Sequence, residues 1–186
     1  MSPDEALGLL EGSGAVLSGH FKLTSGRHSD TYVEKARVFE QPALTYRFAE
    51  AIAAAHPGVR AVVSPAVGAI PLGFAVAHTA GARFLYTERV EGRMAFRRGF
   101  ALEPDEPTLV VEDVITTGGS AADVADLVRA SGAALAGVAA LVDRSPEPPG
   151  FPLQAVIRVE ARSWDPAECP LCTEGTPFTE RGSRFL

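Results

Sequence analysis

The chain has 186 residues, 46% of them hydrophobic and 22% charged, with a formal net charge of −6. That composition gives one domain with room for a core, and it excludes a disordered polymer. It also excludes a global basic field, so neither nucleic acid nor an anionic membrane is an expected partner, and any anionic ligand must be held by a local site.

The first dozen residues read as a short helix, with Ser2 as its cap, Pro3 at the first helical position and Gly12 after its end. Asp4 and Glu5 stand where a signal peptide would carry basic residues, so a cytoplasmic protein is expected. Residues 21–33 read as extended and turning, with the break at Ser25, Gly26 and Arg27. Pro42 opens an amphipathic helix in which Leu44, Phe48, Ile52 and Ala55 share one face, and His56, Pro57 and Gly58 end it.

A strand over 61–63, a small-residue loop over 64–68 and an apolar helix to about Ala80 follow. Ser64, Pro65, Gly68 and Pro71 interrupt the apolar run over 61–77, which is too short and broken for a membrane span. A second short strand covers 83–86. Residues 89–99 hold Arg89, Arg93, Arg97 and Arg98 with little apolar periodicity, and read as a mobile surface loop. A third strand, 108–111, leads through the segment 112–120 into a helix ending at Arg129, with Val124, Leu127 and Val128 as its buried stripe and Gly132 just beyond. A fourth strand falls within 133–142 and a fifth at 155–159. The tail from Ser163 has no strong periodicity. Apolar strands alternating with helices predict an α/β fold with a mainly parallel central sheet and helices on both faces.

Chemistry concentrates at the end of the third strand. Val110 and Val111 run into two adjacent carboxylates, Glu112 and Asp113, then Val114 and Ile115, and then the small residues Thr116, Thr117, Gly118, Gly119 and Ser120. Neighbouring strand residues point to opposite faces, so two buried acids in mid-strand would be costly. At a strand end a polar ligand can satisfy them. The glycines allow close backbone approach, and the helix N-terminus favours an anion. A ribose 5-phosphate fits this pattern, its diol on the acids and its phosphate in the loop. The run is not a G-x-G-x-x-G fingerprint, and no lysine follows its glycines as in a P-loop.

This segment resembles the signature of the type I phosphoribosyltransferases, with Glu at the first acidic position. The resemblance implies that Glu112, Asp113, Val114, Ile115, Thr116, Thr117, Gly118, Gly119 and Ser120 bind phosphoribosyl pyrophosphate. The stretch around Gly19, His20, Phe21, Ser25, Gly26 and Arg27 resembles the N-terminal segment of the orotate phosphoribosyltransferases, although Thr24 stands where many relatives have lysine. Asp143-Arg144 resembles that family's strand-end pair, which implies that Arg144, with Thr116, contacts orotate. The physics agrees, because a guanidinium fork suits a carboxylate. Residues 64–71 resemble the family's pyrophosphate loop.

The arginine-rich segment resembles the loop that closes over the donor from a neighbouring subunit, with Arg93 where lysine is common. The resemblance therefore implies donor contacts and catalytic roles for Arg89 and Arg93, a catalytic role for Asp113, and a homodimer. It also implies orotate and phosphoribosyl pyrophosphate as substrates, and Mg²⁺ as cofactor, held mainly by substrate rather than by protein ligands. The expected layout is one phosphoribosyltransferase domain over 1–186, its core at about 40–160 and a hood over the base site from about 1–39 and 160–186. A purine-type phosphoribosyltransferase and a regulatory protein that senses the same donor are the competing readings.

Cys169 and Cys172 remain. A zinc site takes four ligands, the sequence has no second cysteine pair, and all four histidines are distant in sequence. The pair is therefore expected to be two reduced thiols in a C-terminal turn, with Trp164 nearby as a packing residue.

Overall fold

The alternating apolar runs and small-residue turns resolve into strands and helices in the computed structural model, which describes residues 1–23, 25–160 and 162–179. Thr24, noted above for its departure from the family, and the end of the expected hood lie outside the described residues. In chain order the elements are α1 (Pro3–Gly12), β1 (Val16–Lys22), β2 (His28–Val33), α2 (Ala36–Phe39), α3 (Pro42–Ala55), β3 (Ala61–Pro65), α4 (Ile70–Ala80), β4 (Arg83–Val90), β5 (Arg93–Phe96), β6 (Pro107–Ile115), α5 (Gly119–Ala130), β7 (Ala134–Asp143), β8 (Leu153–Arg158), β9 (Ser163–Trp164) and α6 (Pro170–Thr173). A 3-10 turn at Pro166–Glu168 precedes α6.

Among the described residues the main sheet has six strands in the order β5-β4-β3-β6-β7-β8. Its neighbours are parallel except β4 and β5. Period-two alternation sends successive strand residues to opposite faces, and the two faces are covered separately. Val62, Leu109, Val111 and Leu141 meet Leu10 of α1, Phe48 and Ile52 of α3 and Leu72 of α4. Ala61, Val63, Val110 and Ala140 meet Ala121, Val124 and Val128 of α5. The expected doubly covered α/β architecture is therefore present. A second, three-stranded sheet, β1-β2-β9, joins the N-terminal hairpin to the C-terminal tail.

The local signals for α1 and α3 act as the sequence requires. The Ser2 hydroxyl accepts from the Glu5 amide at 3.2 Å, and Pro sits at the start of both helices. The buried stripe of α3 is rotated from the expected one. Thr45, Phe48, Ala49 and Ile52 are buried, while Ala55, the last residue of the helix, is exposed.

Three other expectations need correction. Residues 89–99 are not an irregular loop: β4 runs on to Val90 and returns as β5. Glu91 and Gly92 form the two-residue turn with φ of 49° and 82°, the left-handed pair whose twist matches a hairpin. Met94 and Phe96 then pack on the α5-side core, which overrides the weak local periodicity. The tail is also structured, because β9 pairs with β2 and gains order from a strand distant in sequence. Finally, β6 extends through the acid pair to Ile115, so the carboxylates do not lie beyond the strand.

Candidate active site

The sheet explains how two adjacent acids are tolerated inside β6. From β3 the chain steps outward to β4, whereas from β6 it steps the other way to β7 and β8. The crevice between β3 and β6 is therefore the point where strand order reverses, the usual ligand position in such sheets. β3 pairs with β6 only as far as Val110, while β7 continues alongside β6 to Ile115. Past Val110 one edge of β6 is open, and Glu112 and Asp113 occupy that opening. They are 8% and 4% exposed, so each is desolvated.

The Asp113 amide donates to Glu112 Oε1 at 3.1 Å, and the Val114 amide donates to Asp113 Oδ1 at 2.6 Å. Lys35 forms an ion pair with Asp113 Oδ2. Burial, and secondly the charge of Asp113, push the Glu112 carboxyl up to about 8.

A cavity of 220 Å³ opens over this pair, lined by Lys35, Pro65, Ala66, Gly68, Arg89, Met94, Glu112, Asp113 and Ser120. Its far wall is the turn after β3, where the Ala66–Val67 peptide bond is cis. Gly68 lies directly on the ion pair, because a Cβ there would collide with both Asp113 Oδ2 and Lys35 Nζ.

Beside it a smaller pocket of 60 Å³ is walled by the run from Val114 to Ala121 together with Glu112. Gly118 caps α5 with φ 80° and offers no side chain to its amides. The first amide groups of a 12-residue helix are therefore free to meet an anion. Thr116, Thr117, Gly119 and Ser120 are exposed around it. The segment expected to bind phosphate thus lines one small pocket at the start of α5.

Arg144 follows the end of β7, the strand next to the cradle. Its amide donates to the Ile115 carbonyl at 2.9 Å. Asp143 orients this turn: it accepts from the Ser145 amide at 2.9 Å, from the Ser145 hydroxyl at 2.6 Å and from Arg158 Nη1 at 2.9 Å. Asp143 is therefore a positioning group for this turn. Burial lowers the pKa of the Arg144 guanidinium, an effect partly opposed by the phenol of Tyr32. Among the described residues no carboxylate pairs with Arg144. A half-buried guanidinium without an anion is an incomplete ion pair.

Tyr32 joins the two parts of the site. Burial first, then Glu34, raise its pKa, while Lys35 and Arg144 oppose the rise. Tyr32 and Lys35 also line an adjoining cavity of 450 Å³ with Val67, Gly68 and Pro71.

Of the residues expected from sequence, Glu112, Asp113, Arg89 and the run from Val114 to Ser120 surround one crevice. Arg89 also donates to the Gly92 carbonyl at 2.7 Å and pairs with Asp123 at 3.1 Å. Arg93 is exposed at the start of β5 and lines neither the 220 Å³ nor the 450 Å³ cavity. Arg27 of the Ser-Gly-Arg turn is engaged by the tail, donating to the Ser163 carbonyl at 2.6 Å. Sequence reasoning missed Lys35, Tyr32 and Arg158. Lys35 did leave a signal, as one of only two lysines in a chain with 17 basic residues.

No family model matches the chain. Curated relatives do. It is 46% identical, over 99% of its length and all of the relative's, to a protein of Heliobacterium modesticaldum named orotate phosphoribosyltransferase. It is 43% identical, over the full length of both chains, to one of the same name from Desulforamulus reducens. Among solved structures, the orotate phosphoribosyltransferase of Aeropyrum pernix superposes with a TM-score of 0.65 at 27% identity, covering 82% of this chain and 92% of the other. With relatives at this identity over their full length, the chain belongs to the orotate phosphoribosyltransferase family.

Proposed function

We propose that this chain transfers the ribose 5-phosphate unit of phosphoribosyl pyrophosphate to N1 of orotate, giving orotidine 5′-monophosphate and pyrophosphate in pyrimidine synthesis. The supporting observation is that a buried acid pair and the N-terminus of α5 meet at one strand-order reversal. Glu112 and Asp113 accept from the ribose hydroxyls. The amides and hydroxyls of Thr116, Thr117, Gly118, Gly119 and Ser120 receive the 5′-phosphate. Arg144 pairs with the orotate carboxylate, and Thr116 borders the base.

N1 of orotate attacks C1 of the ribose with inversion, and pyrophosphate departs. Positive charge develops on the sugar and negative charge on the leaving group, so the protein needs cations and a dry crevice rather than a nucleophile of its own. Lys35 and Arg89, which face the cavity, supply positive potential. Asp113 is paired with Lys35, and Glu112 beside it is a desolvated carboxyl whose proton a hard cation can displace; oxygen donors of this kind are what Mg²⁺ prefers. Mg²⁺ would be held mainly by the substrate, beside Glu112 and Asp113, and would supply positive charge that stabilises the leaving pyrophosphate.

Arg93 acts through the β4–β5 hairpin, reaching the site of a neighbouring subunit in a homodimer. The segments flanking the core, about 1–39 and 160–186, form the hood over the base. The enzyme works in the cytoplasm, in keeping with two cysteines that form no disulfide. Among the described residues no helix is long and apolar enough to cross a membrane.

The direct test mixes the protein with orotate, phosphoribosyl pyrophosphate and Mg²⁺ and follows orotate absorbance. The expected result is a loss of orotate that stops on chelation. Unchanged absorbance with an active donor preparation would overturn the proposal.

A further inference from the structure

The reading of Cys169 and Cys172 as an isolated thiol pair rested on the distance of every histidine in sequence, and the tertiary structure overturns it. β2 pairs with β9, which carries the following tail back over the N-terminal hairpin. His20 near the end of β1, His28 at the start of β2, and the two cysteines flanking the start of α6 then meet. One ligand atom from each of the four lies within 4.8 Å of all the others.

Four of the six separations fit the edges of a tetrahedron around one ion. His20 Nε2 is 3.2 Å from His28 Nδ1, 3.5 Å from Cys169 Sγ and 3.7 Å from Cys172 Sγ, and Cys172 Sγ is 3.3 Å from His28 Nδ1. A tetrahedron built on Zn–N of about 2.0–2.1 Å and Zn–S of about 2.3 Å has N···N edges of about 3.3 Å and N···S edges of about 3.6 Å.

Hydrogen bonding alone does not account for the cluster. The other nitrogen of His20, Nδ1, lies 2.8 Å from the Thr176 carbonyl, which can only accept. Nδ1 of His20 therefore carries the proton and Nε2 presents one lone pair, which three groups approach. A carbonyl that fixes the far nitrogen of an imidazole is the usual support of a metal-bound histidine. The site is also enclosed. His20, His28 and Cys169 are 1%, 4% and 1% exposed. Phe178 lies over His20 at a ring separation of 4.0 Å and edge-on to His28 at 4.8 Å.

We propose that His20, His28, Cys169 and Cys172 form a structural Zn²⁺ site that clamps the C-terminal tail onto the N-terminal hairpin. Two thiolates and two imidazoles suit zinc over the hard cations, and with all four positions filled by protein the site is closed to substrate. Cys169-Pro170-Leu171-Cys172 is the two-thiolate turn, and the histidines bracket the Ser25-Gly26-Arg27 turn from the other side. The clamp adds to weaker ties between the same segments. Arg27 donates to Ser163, Ser29 donates to the Arg162 carbonyl at 2.8 Å, and the Thr179 amide donates to the His20 carbonyl at 2.7 Å. The site is separate from the crevice between β3 and β6, and its test does not depend on the proposed reaction.

The full chain, expressed with zinc in the medium and purified without chelator, is assayed for bound metal by mass spectrometry. Close to one zinc per chain is expected, and Cys172→Ser, an exposed and nearly isosteric change, should lose at least about 90% of it. Replacement by Co²⁺ should give the visible bands of a tetrahedral ion with thiolate charge transfer in the near ultraviolet. A strong chelator should lower the Tm of the wild type and leave that of Cys172→Ser unchanged. Substoichiometric zinc, an octahedral Co²⁺ spectrum, or equal metal content in wild type and Cys172→Ser would each overturn the assignment.

Discussion

Glu112 offers the sharpest test of the crevice. Its carboxyl is raised from an ordinary value of 4.5 to about 8, first by burial and then by Asp113. In the unliganded protein the folded chain therefore holds a proton that the unfolded chain releases across that interval. The resulting stability is complete below 4.5 and is lost as pH rises towards 8. The whole interval is worth about 5 kcal/mol at most, and the part between pH 6 and 8 about 3 kcal/mol. Glu112→Gln keeps the shape and removes the titration. Urea unfolding of both proteins between pH 6 and 9 should show the variant gaining on the wild type by up to about 3 kcal/mol. For a chain of this size that is roughly 6–12 °C in Tm. The difference between the two cancels the titrating groups that do not interact with Glu112, leaving Glu112 and its coupling to Asp113. Parallel pH profiles would refute the claim that Glu112 is desolvated beside a second carboxylate.

Other perturbations probe the remaining parts. Arg144→Ala removes the proposed partner of the orotate carboxylate and should raise KM for orotate by about 10- to 150-fold, with a much smaller effect on the donor. Equal losses for both ligands in titrations would count against that role. Gly68→Ala places a methyl group on the Lys35–Asp113 pair, so donor binding measured by calorimetry should weaken by about tenfold or more. Gly118→Ala must hold φ near 80° and meets Pro149 at 3.1 Å. A loss of about 1–2 kcal/mol, or roughly 2–8 °C in Tm, is expected by scanning fluorimetry. If the β4–β5 hairpin serves a neighbouring subunit, mixing inactive Arg93→Ala and Asp113→Asn proteins should restore part of the activity, and no recovery in the mixture would place its action within one chain.

Features written by neighbouring residues were legible in the sequence. Ser2-Pro3 and Pro42 set helix starts, continuous apolar runs in 108–111 and within 133–142 set buried strands, and the adjacency of Glu112, Asp113 and the glycine run marked the donor site. Each depends on backbone preference or side-chain period, which a local window contains. The extent of β6 past the acids was less legible, because it depends on β7 outlasting β3 alongside it. The β4–β5 hairpin was hidden because its order comes from packing on α5-side residues rather than from its own pattern.

What only the tertiary structure decided are the meetings between distant residues. Lys35 reaches Asp113 across 78 positions, and His20 reaches Cys169 across 149. No spacing rule spans such intervals, because the chain between them is folded by other contacts. The sequence by itself determined the parallel strands of the main sheet and the acid-and-glycine segment, since those are local chemistry. The counter-charge that faces the acids, and the four-ligand cluster that pins the tail, exist only because strand pairing and core burial bring their carriers together.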